Sequence, residues 1–148
     1  MAIDEVDRMI KPSGRLFTKN SDIPADPVSL IEDTVEDGEL TVRALMVGED
    51  MIFVEAFKGK GMIDPTHQHD DHESIGYLLR GRMRVVIGDE EFIAEAGDTW
   101  LHPRGVPHMS EALEDCIQLE IKSPPRKTWY TDAELEHRAQ RHSTNTSD

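Results

Sequence analysis

Cysteine is almost absent from this chain of 148 residues, which contains only Cys116. A lone cysteine cannot form a disulfide within the chain and offers no second thiolate, so a disulfide-stapled fold and a cysteine-rich zinc site are excluded. Cys116 lies in the alternating segment DCIQLEI, where a small buried thiol is the ordinary explanation. We therefore predict that Cys116 packs in a core and is not a nucleophile.

Basic residues and long apolar runs are also scarce. The 16 lysines and arginines face 30 aspartates and glutamates, and the formal net charge of -14 repels phosphate backbones and anionic lipid headgroups. No apolar run approaches the roughly 18 residues of a membrane-spanning helix, and the first residues lack the basic and apolar regions of a signal peptide. These absences predict a cytoplasmic protein that binds neither nucleic acid nor membranes. The length and the 37% of hydrophobic residues predict one folded domain with polar ends.

Short strands dominate what the sequence does contain. Between residues 39 and 122, apolar and polar residues alternate in brief segments separated by glycine and proline, which predicts about eight strands. The Gly88-Asp89 pair suits the two-residue turn of a hairpin. A series of this kind is typical of a β-sandwich or a β-barrel.

The two ends of the chain have residue patterns that differ from that of the central strands. Residues 1–38 contain turn-forming residues without sustained periodicity, which predicts an N-terminal arm with room for an edge strand or a short helix. Residues 123–148 predict a C-terminal extension with one short helix. Thr131 or Asp132 would cap that helix, which would run to about Arg141 before a disordered end.

Three of the seven histidines fall within six residues of one another. His67 and His69 are two residues apart, and on an extended strand that spacing points both rings to one face, where they could bind a single cation. His108 follows a turn rich in proline and glycine, residues 103–107, which fixes its direction. Two solvated side chains beside acidic neighbours would explain the first pair equally well, so the metal-site hypothesis depends on its context.

That context is a pair of ordered motifs. The glycine, proline and histidine residues of these motifs are Gly61, His67, His69 and Gly81 in the first, and Gly97, Pro103, Gly105 and His108 in the second. Their order and spacing resemble the two motifs of the cupin superfamily. The resemblance covers roughly residues 40–122. It implies an all-β fold, a double-stranded β-helix or jelly-roll barrel, with a divalent metal held inside by residues of both motifs.

The resemblance also implies a fourth ligand, a glutamate or glutamine three or four residues after the second histidine and seven before the closing glycine. Counting forward from His69 selects Glu73 or Ser74, and counting back from Gly81 selects Ser74, whose hydroxyl is a weak ligand. A bulge that lets Glu73 serve, an inward-turned His72 and a water molecule are the alternatives, of which Glu73 is preferred. The predicted metal ligands are therefore His67, His69, Glu73 and His108.

Other polar and aromatic residues near the motifs are predicted to have structural roles. Asp70 and Asp71 could orient the imidazoles through hydrogen bonds, but a solvated acidic loop is the preferred interpretation. Trp100, Trp129 and Tyr130 are predicted to pack, or to line the barrel mouth, because nothing in the sequence positions them for stacking on a ligand.

Imidazoles with at most one carboxylate suit Zn, Fe(II), Mn, Ni or Cu better than Mg or Ca. The resemblance implies a small metalloenzyme of the oxygenase, isomerase, decarboxylase or lyase type that acts on a small polar or anionic organic molecule. It assigns no catalytic residue. A non-catalytic module that binds or senses a ligand through the same metal, and a metal that only braces the barrel, are the alternatives. A homodimer is also implied, because small cupins often pair through their barrel faces.

Overall fold

Short antiparallel strands account for most of the fold. The computed structural model describes residues 5–145, with side chains described as far as residue 140. The strands are β1 Asp26–Pro27, β2 Leu30–Ile31, β3 Thr34–Val35, β4 Leu40–Val47, β5 Ile52–Lys58, β6 Ile63–His67, β7 Glu73–Arg80, β8 Arg82–Ile87, β9 Glu90–Glu95, β10 Thr99–His102, β11 His108–Ala112, β12 Cys116–Ser123 and β13 Trp129–Tyr130. The helices are α1 Glu5–Arg8, a 3-10 turn at Asn20–Asp22, and α2 Asp132–Asn145.

The strands form three antiparallel sheets. The large sheet has the order β1-β4-β5-β12-β7-β10, the small sheet the order β6-β11-β8-β9, and the arm sheet the order β13-β2-β3. The all-β fold, with a jelly-roll barrel and a short C-terminal helix, is as predicted. Nine strands rather than about eight lie between residues 39 and 122, because the segment containing Pro65 forms β6. A proline has no N–H to donate, and β6 accommodates it by lying at the edge of the small sheet.

Alternation along the strands places the core between the sheets. On β5 every second residue is buried, from Ile52 to Lys58, and on β8 the buried residues are Met83 and Val85. Cys116 is fully buried, its thiol lies 3.3 Å from the carbonyl oxygen of Arg82, and burial raises its pKa. The thiol therefore packs in the core, as predicted.

The hairpin predicted at Gly88-Asp89 joins β8 to β9. Ile87 and Glu90 are register partners on either side, so the loop has the expected two residues. Gly88 has a φ of 56°, in the left-handed region where a residue without a Cβ carries little strain.

The N-terminal segment joins the rest of the fold more closely than an arm would. It contains the predicted short helix, α1, and the predicted edge strand, β1, which pairs with β4. It also contains an unpredicted hairpin, β2-β3, that pairs with β13 of the C-terminal extension. Strands of two residues are too short to leave an alternation in the sequence, which is why this hairpin was missed.

The C-terminal helix begins where it was predicted to begin. The Glu134 N–H donates to Thr131 Oγ1 at 3.1 Å, and Glu134 Oε1 lies 3.4 Å from the Thr131 nitrogen, so the two residues form a capping box. The helix continues to Asn145, beyond the predicted end near Arg141, because residues 142–145 contain neither proline nor glycine to stop it. The remainder of the predicted disordered end, residues 146–148, lies outside the described residues. Within the described residues, no helix is both long and apolar enough to cross a membrane.

Candidate metal centre

Three predicted histidines meet inside the barrel. His67 is the last residue of β6 and is the register partner of His108, the first residue of β11. His69 lies two residues beyond β6, in the loop rather than on the strand, yet its ring still faces the other two. One nitrogen from each of the three rings lies within 4.8 Å of the others, and all three side chains are buried. This arrangement could hold one metal ion.

Each of these rings is oriented by an acceptor behind it. His67 Nδ1 donates to the Pro65 carbonyl oxygen at 2.8 Å, and Asp64 Oδ1 lies 3.3 Å from the same nitrogen. His69 Nδ1 donates to Glu32 Oε1 at 2.6 Å, and His108 Nδ1 lies 3.4 Å from the Val106 carbonyl oxygen. Because carbonyl and carboxylate oxygens only accept, Nδ1 carries the proton and Nε2 keeps its lone pair for a metal.

His72 lies beside His69 but outside the group of three converging nitrogens, and its Nδ1 is oriented in the same way. Its side chain is fully buried, its Nδ1 donates to Asp71 Oδ1 at 2.8 Å, and its ring centroid lies 4.5 Å from that of His69. Its Nε2 is buried without a hydrogen-bond partner. An unpaired buried nitrogen is costly, and a metal ion beside His69 would satisfy it. The donors present therefore fit a transition metal, and Asp71 belongs to the site rather than to a solvated loop.

The structure does not bring Glu73 to this cluster. Glu73 begins β7, where residues alternate between the exposed and the buried face, and its side chain is exposed. The next residue, Ser74, points inward. The preference for Glu73 as the fourth ligand is therefore not supported, because no bulge turns its carboxylate into the barrel.

Three buried histidines of this centre are held in their neutral form. Burial lowers the pKa of His69, His72 and His108, and positive charge nearby adds to this effect. For His69 and His72 that charge is on Lys122, while for His108 burial is the main cause. A neutral imidazole is the form that binds a metal, so the site is ready to coordinate at neutral pH.

The three clustered histidines open onto a cavity of about 50 Å³ between the sheets. Among its lining residues, Lys58 and Lys122 are buried cations. Lys58 Nζ donates to Ser110 Oγ at 2.9 Å, and Lys122 Nζ donates to Thr128 Oγ1 at 2.8 Å. Buried lysines need a counter-charge, which Glu120 supplies for Lys122, so the interior of the cavity is polar.

A chain of hydrogen bonds crosses the same cavity. Trp100 Nε1 donates to His102 Nε2 at 3.1 Å, so His102 carries its proton on Nδ1, which lies 3.2 Å from Ser74 Oγ. Ser74 Oγ donates in turn to Glu120 Oε1 at 2.6 Å. Burial disfavours the charge on Glu120, but Lys122 and the neighbouring His102 and Ser74 hold its pKa well below the usual range. Glu120 is thus a buried, ionised carboxylate.

Two close contacts fix this hydrogen-bonded chain beside the metal centre. The rings of His102 and His108 stack with centroids 3.9 Å apart and an interplanar angle of 6°. Trp100 lies over Gly76, where an added Cβ would be 2.5 Å from its Cε2. Only a glycine at this position allows the indole to reach His102. Trp100 is therefore a packed residue that also orients the site, which extends the structural role predicted for it.

Sequence reasoning missed Glu32, Glu120 and the two cavity lysines. Glu32 lies in the unpredicted β2-β3 hairpin and left no signal. Glu120 and Lys122 left one, since they alternate with isoleucine and leucine along β12, but the pattern was interpreted only as a strand. Polar residues on the inner face of a barrel strand indicate a ligand cavity.

Comparisons with known proteins agree with this architecture. The family described as "Cupin domain" matches residues 53–121. Over 79 residues the chain is 32% identical to the pectin degradation protein KdgF of Dickeya dadantii (strain 3937), covering 53% of this chain and 72% of that protein. Over 82 residues it is 38% identical to oxalate decarboxylase OxdC of Bacillus subtilis (strain 168), covering 52% of this chain.

The chain covers only 21% of the length of that oxalate decarboxylase. Among solved structures, KdgF from Halomonas sp. superimposes with a TM-score of 0.64 at 25% identity, covering 74% of this chain and 94% of that one. The matched segment contains both histidine motifs and the strands that position them. The chain belongs to the cupin superfamily.

Proposed function

We propose that this protein is a metal-dependent enzyme that acts on a small carboxylic acid bound in the barrel cavity. One observation carries the proposal: the nitrogens of His67, His69 and His108 converge within 4.8 Å on a cavity that also contains two buried lysines. The relatives support it, because one is named for the decarboxylation of oxalate and another for pectin degradation.

The metal is a transition metal in this proposal. A group of nitrogen donors that includes no carboxylate favours Zn, Fe(II), Mn, Ni or Cu. His67, His69 and His108 hold it, with His72 as the fourth candidate because of its unpaired Nε2. When bound, such an ion polarises a carboxylate or activates a small molecule at its open positions.

The charges around the cavity, together with that of the bound metal ion, favour an anionic ligand. Among the lining residues, Lys58 and Lys122 stand against two carboxylates, Glu120 and Asp64, so the positive charge that an anion would balance would come from the bound metal ion. Two further groups of the lining, Trp129 Nε1 and Gln118 Oε1, are buried without hydrogen-bond partners. The volume of about 50 Å³ has room for roughly four water molecules, which favours a ligand of a few heavy atoms.

Glu120 is a fixed negative charge of the cavity in this proposal. It is ionised, it lines the cavity, and Ser74 holds one of its oxygens at 2.6 Å. A carboxylate whose pKa is held this low stays ionised at neutral pH, so it balances one of the two lysines of the lining. Lys122, whose charge stabilises the carboxylate, also helps to bind the anion.

Cobalt-substituted protein without a tag tests ligand binding. Titration with oxalate should change the visible spectrum of the cobalt, while the uncharged isostere oxamide should leave it unchanged. The variant Lys122→Met should weaken the response to oxalate, and Lys60→Met, which removes an exposed lysine, is the matched control. A response to oxamide equal to that of oxalate would refute the anionic specificity.

Turnover separates an enzyme from a binding module. The protein as isolated should convert oxalate, another small acid or an acidic product of pectin breakdown, followed by carbon NMR, and His108→Ala should abolish the conversion. Binding of these acids without conversion of any of them would instead support a module that senses or stores the ligand.

A further inference from the structure

One guanidinium group lies behind two of the clustered histidines. Glu32 Oε1 accepts the hydrogen bond of His69, and Asp71 Oδ1 accepts that of His72. Arg8 Nη2 donates to these same two oxygens, at 3.0 Å to Glu32 and 2.7 Å to Asp71. Arg8 Nε donates to Asp71 Oδ2 at 2.8 Å, and Nη1 donates to Glu32 Oε2. Arg8 thus binds both oxygens of each carboxylate, and each carboxylate orients one imidazole.

These ion pairs are shielded from solvent. The side chains of Arg8 and Glu32 are only 11% and 13% exposed, and that of Asp71 is 30% exposed. Two-pronged arginine–carboxylate contacts fix direction as well as charge, and shielded pairs are screened less than surface pairs. Burial disfavours a charge on Asp71, yet the hydrogen bonds from Arg8 and His72 hold its pKa below the usual range. The group is therefore charged and directional at neutral pH.

The backbone at Glu32 adopts a left-handed conformation in the two-residue turn between β2 and β3. Its φ is 53°, which a residue with a side chain seldom adopts. Both carboxylate oxygens of Glu32 are occupied, and its N–H donates to the Thr128 carbonyl oxygen at 2.7 Å.

The short helix that contains Arg8 is fixed to the other end of the chain. The Arg8 carbonyl oxygen accepts from the Lys127 N–H at 2.9 Å. Tyr130 Oη donates to the Asp7 carbonyl oxygen at 3.1 Å, and Arg138 Nε donates to Asp7 Oδ2 at 2.7 Å. All of these residues lie outside the segment 53–121 that matches the family. The two extensions of the chain together hold the guanidinium in place.

Neutralising the charge of Asp71 does not by itself explain why Arg8 lies between Asp71 and Glu32. Arg126 Nε lies 3.3 Å from Asp71 Oδ2, so Asp71 has a second cation beside it. The connection between Asp71 and Glu32, and hence between the His72 and His69 rings, runs through Arg8.

We propose that Arg8 is a positioning residue of the metal centre, which sets the directions of His69 and His72 through Asp71 and Glu32. The inference rests on the proposed metal site, and it makes the N-terminal helix part of that site. With Arg8 in place, both rings keep Nδ1 protonated and turn Nε2 toward the metal. Without it, the carboxylates can rotate and the rings lose their common direction.

Two variants separate direction from charge. Arg8→Lys keeps the charge but cannot bind two carboxylates at both oxygens, whereas Arg8→Met removes the charge. Loss of an outer contact of this kind weakens metal binding by about 10- to 100-fold, and we expect that increase in Kd for both variants in competition with a chelator. Arg15→Met is the matched control, because this exposed arm residue contacts Thr18 and the Leu45 carbonyl oxygen instead.

A second measurement uses protein without metal. Two-bond proton–nitrogen NMR spectra should show His69 and His72 of the wild type only with protonated Nδ1, and mixed tautomers in both Arg8 variants. If the wild type binds no metal, the proposed function fails, but these tautomers still decide whether Arg8 positions the rings. Glu32→Gln, which keeps an acceptor for His69 but loses the charge bound by Arg8, should show the same changes, and it decides the matter if the Arg8 variants do not fold.

Two results would overturn the inference. One is a wild-type Kd in Arg8→Lys, or wild-type tautomers in Arg8→Lys where no metal binds, because either would mean that positive charge alone is sufficient. The other is tighter metal binding in Arg8→Met, which would mean that the guanidinium acts on the ion only through repulsion.

Discussion

At the scale of single residues, His72 and Glu73 are adjacent in sequence and opposite in environment. His72 is fully buried with an unpaired Nε2, and Glu73 is exposed. We therefore expect His72→Ala to weaken metal binding and Glu73→Ala to leave it unchanged. His108→Ala, which removes one of the three clustered nitrogens, should cost more than the roughly 10- to 100-fold typical of an outer contact. Chelator competition gives the Kd of each variant.

The control for these substitutions is His137→Ala, since His137 is exposed on α2. It should bind metal like the wild type. A loss of metal in Glu73→Ala together with full occupancy in His72→Ala would contradict the placement of both side chains.

Acid should destabilise the metal-free protein at a pH where carboxylates remain ionised. The pKa of His69, His72 and His108 is lowered in the folded state, so the unfolded chain binds more protons as the pH falls below the ordinary histidine value of about 6.5. The stability they contribute is complete above that value and is lost below it, by as much as about 1.4 kcal/mol per pH unit for each histidine. Melting in the presence of a chelator at pH 7.5, 6 and 5 should show the loss.

The variant His72→Phe should make that pH dependence shallower, whereas His137→Ala should keep the wild-type slope. Equal melting temperatures at pH 7.5 and pH 5 in the metal-free wild type would show that the buried histidines are already protonated or are not buried.

The residues of the metal cluster could be predicted because their signal is local. His67, His69 and His108 lie in motifs with fixed spacing, and the structure brings all three together. Glu32 and Arg8 could not be found in this way, because their roles depend on packing between the two ends of the chain. Nothing in the local sequence of an arm indicates which distant carboxylate will face which histidine.

At the scale of elements, β7 and β12 carry large apolar residues on their outer, exposed faces, where an ordinary half-exposed strand carries polar residues. The inner face of β12 carries Gln118, Glu120 and Lys122, while Ile121 on its outer face is 44% exposed. Alternation identifies a strand but not which of its faces points inward. The usual expectation that apolar residues face inward would assign the inner and outer faces of β12 the wrong way round, because the barrel interior is a polar cavity.

The close approach of β7 to Trp100 gives a prediction about packing. A Cβ on residue 76 would lie 2.5 Å from the indole, so Gly76→Ala should displace Trp100 and break its hydrogen bond to His102. Overpacking of this kind costs about 1–3 kcal/mol, which denaturant unfolding can measure. Gly48→Ala is the control, since its Cβ would meet only ordinary contacts at 3.6 Å. Equal stabilities for the two variants would argue against the close packing of Trp100 on β7.

At the scale of the whole molecule, the outer face of the large sheet is unusually apolar. Ile75, Tyr77, Leu101 and Ile121 are each more than 40% exposed. Pairing in register places Leu101 and Ile121 on either side of Ile75. A contiguous apolar patch on a chain of charge -14 indicates an interface, and we expect a homodimer through this face.

Sedimentation velocity tests the dimer. The wild type should sediment as a dimer and Tyr77→Glu as a monomer, because a buried unpaired carboxylate would disfavour association. Ile93→Glu, which adds the same charge at an exposed residue of the small sheet, should remain dimeric. A wild type that is monomeric at all concentrations would contradict this assembly.

We predict that one metal ion, bound by His67, His69 and His108, links the end of β6 to β11. Elemental analysis of untagged protein, combined with melting before and after EDTA, tests it most directly. We predict one transition metal per chain. At metal concentrations about 1,000 times the Kd, bound metal adds roughly 4 kcal/mol of stability, so EDTA should lower the melting temperature by about 10 °C. A metal content at background and a melting curve unchanged by EDTA would contradict the claim.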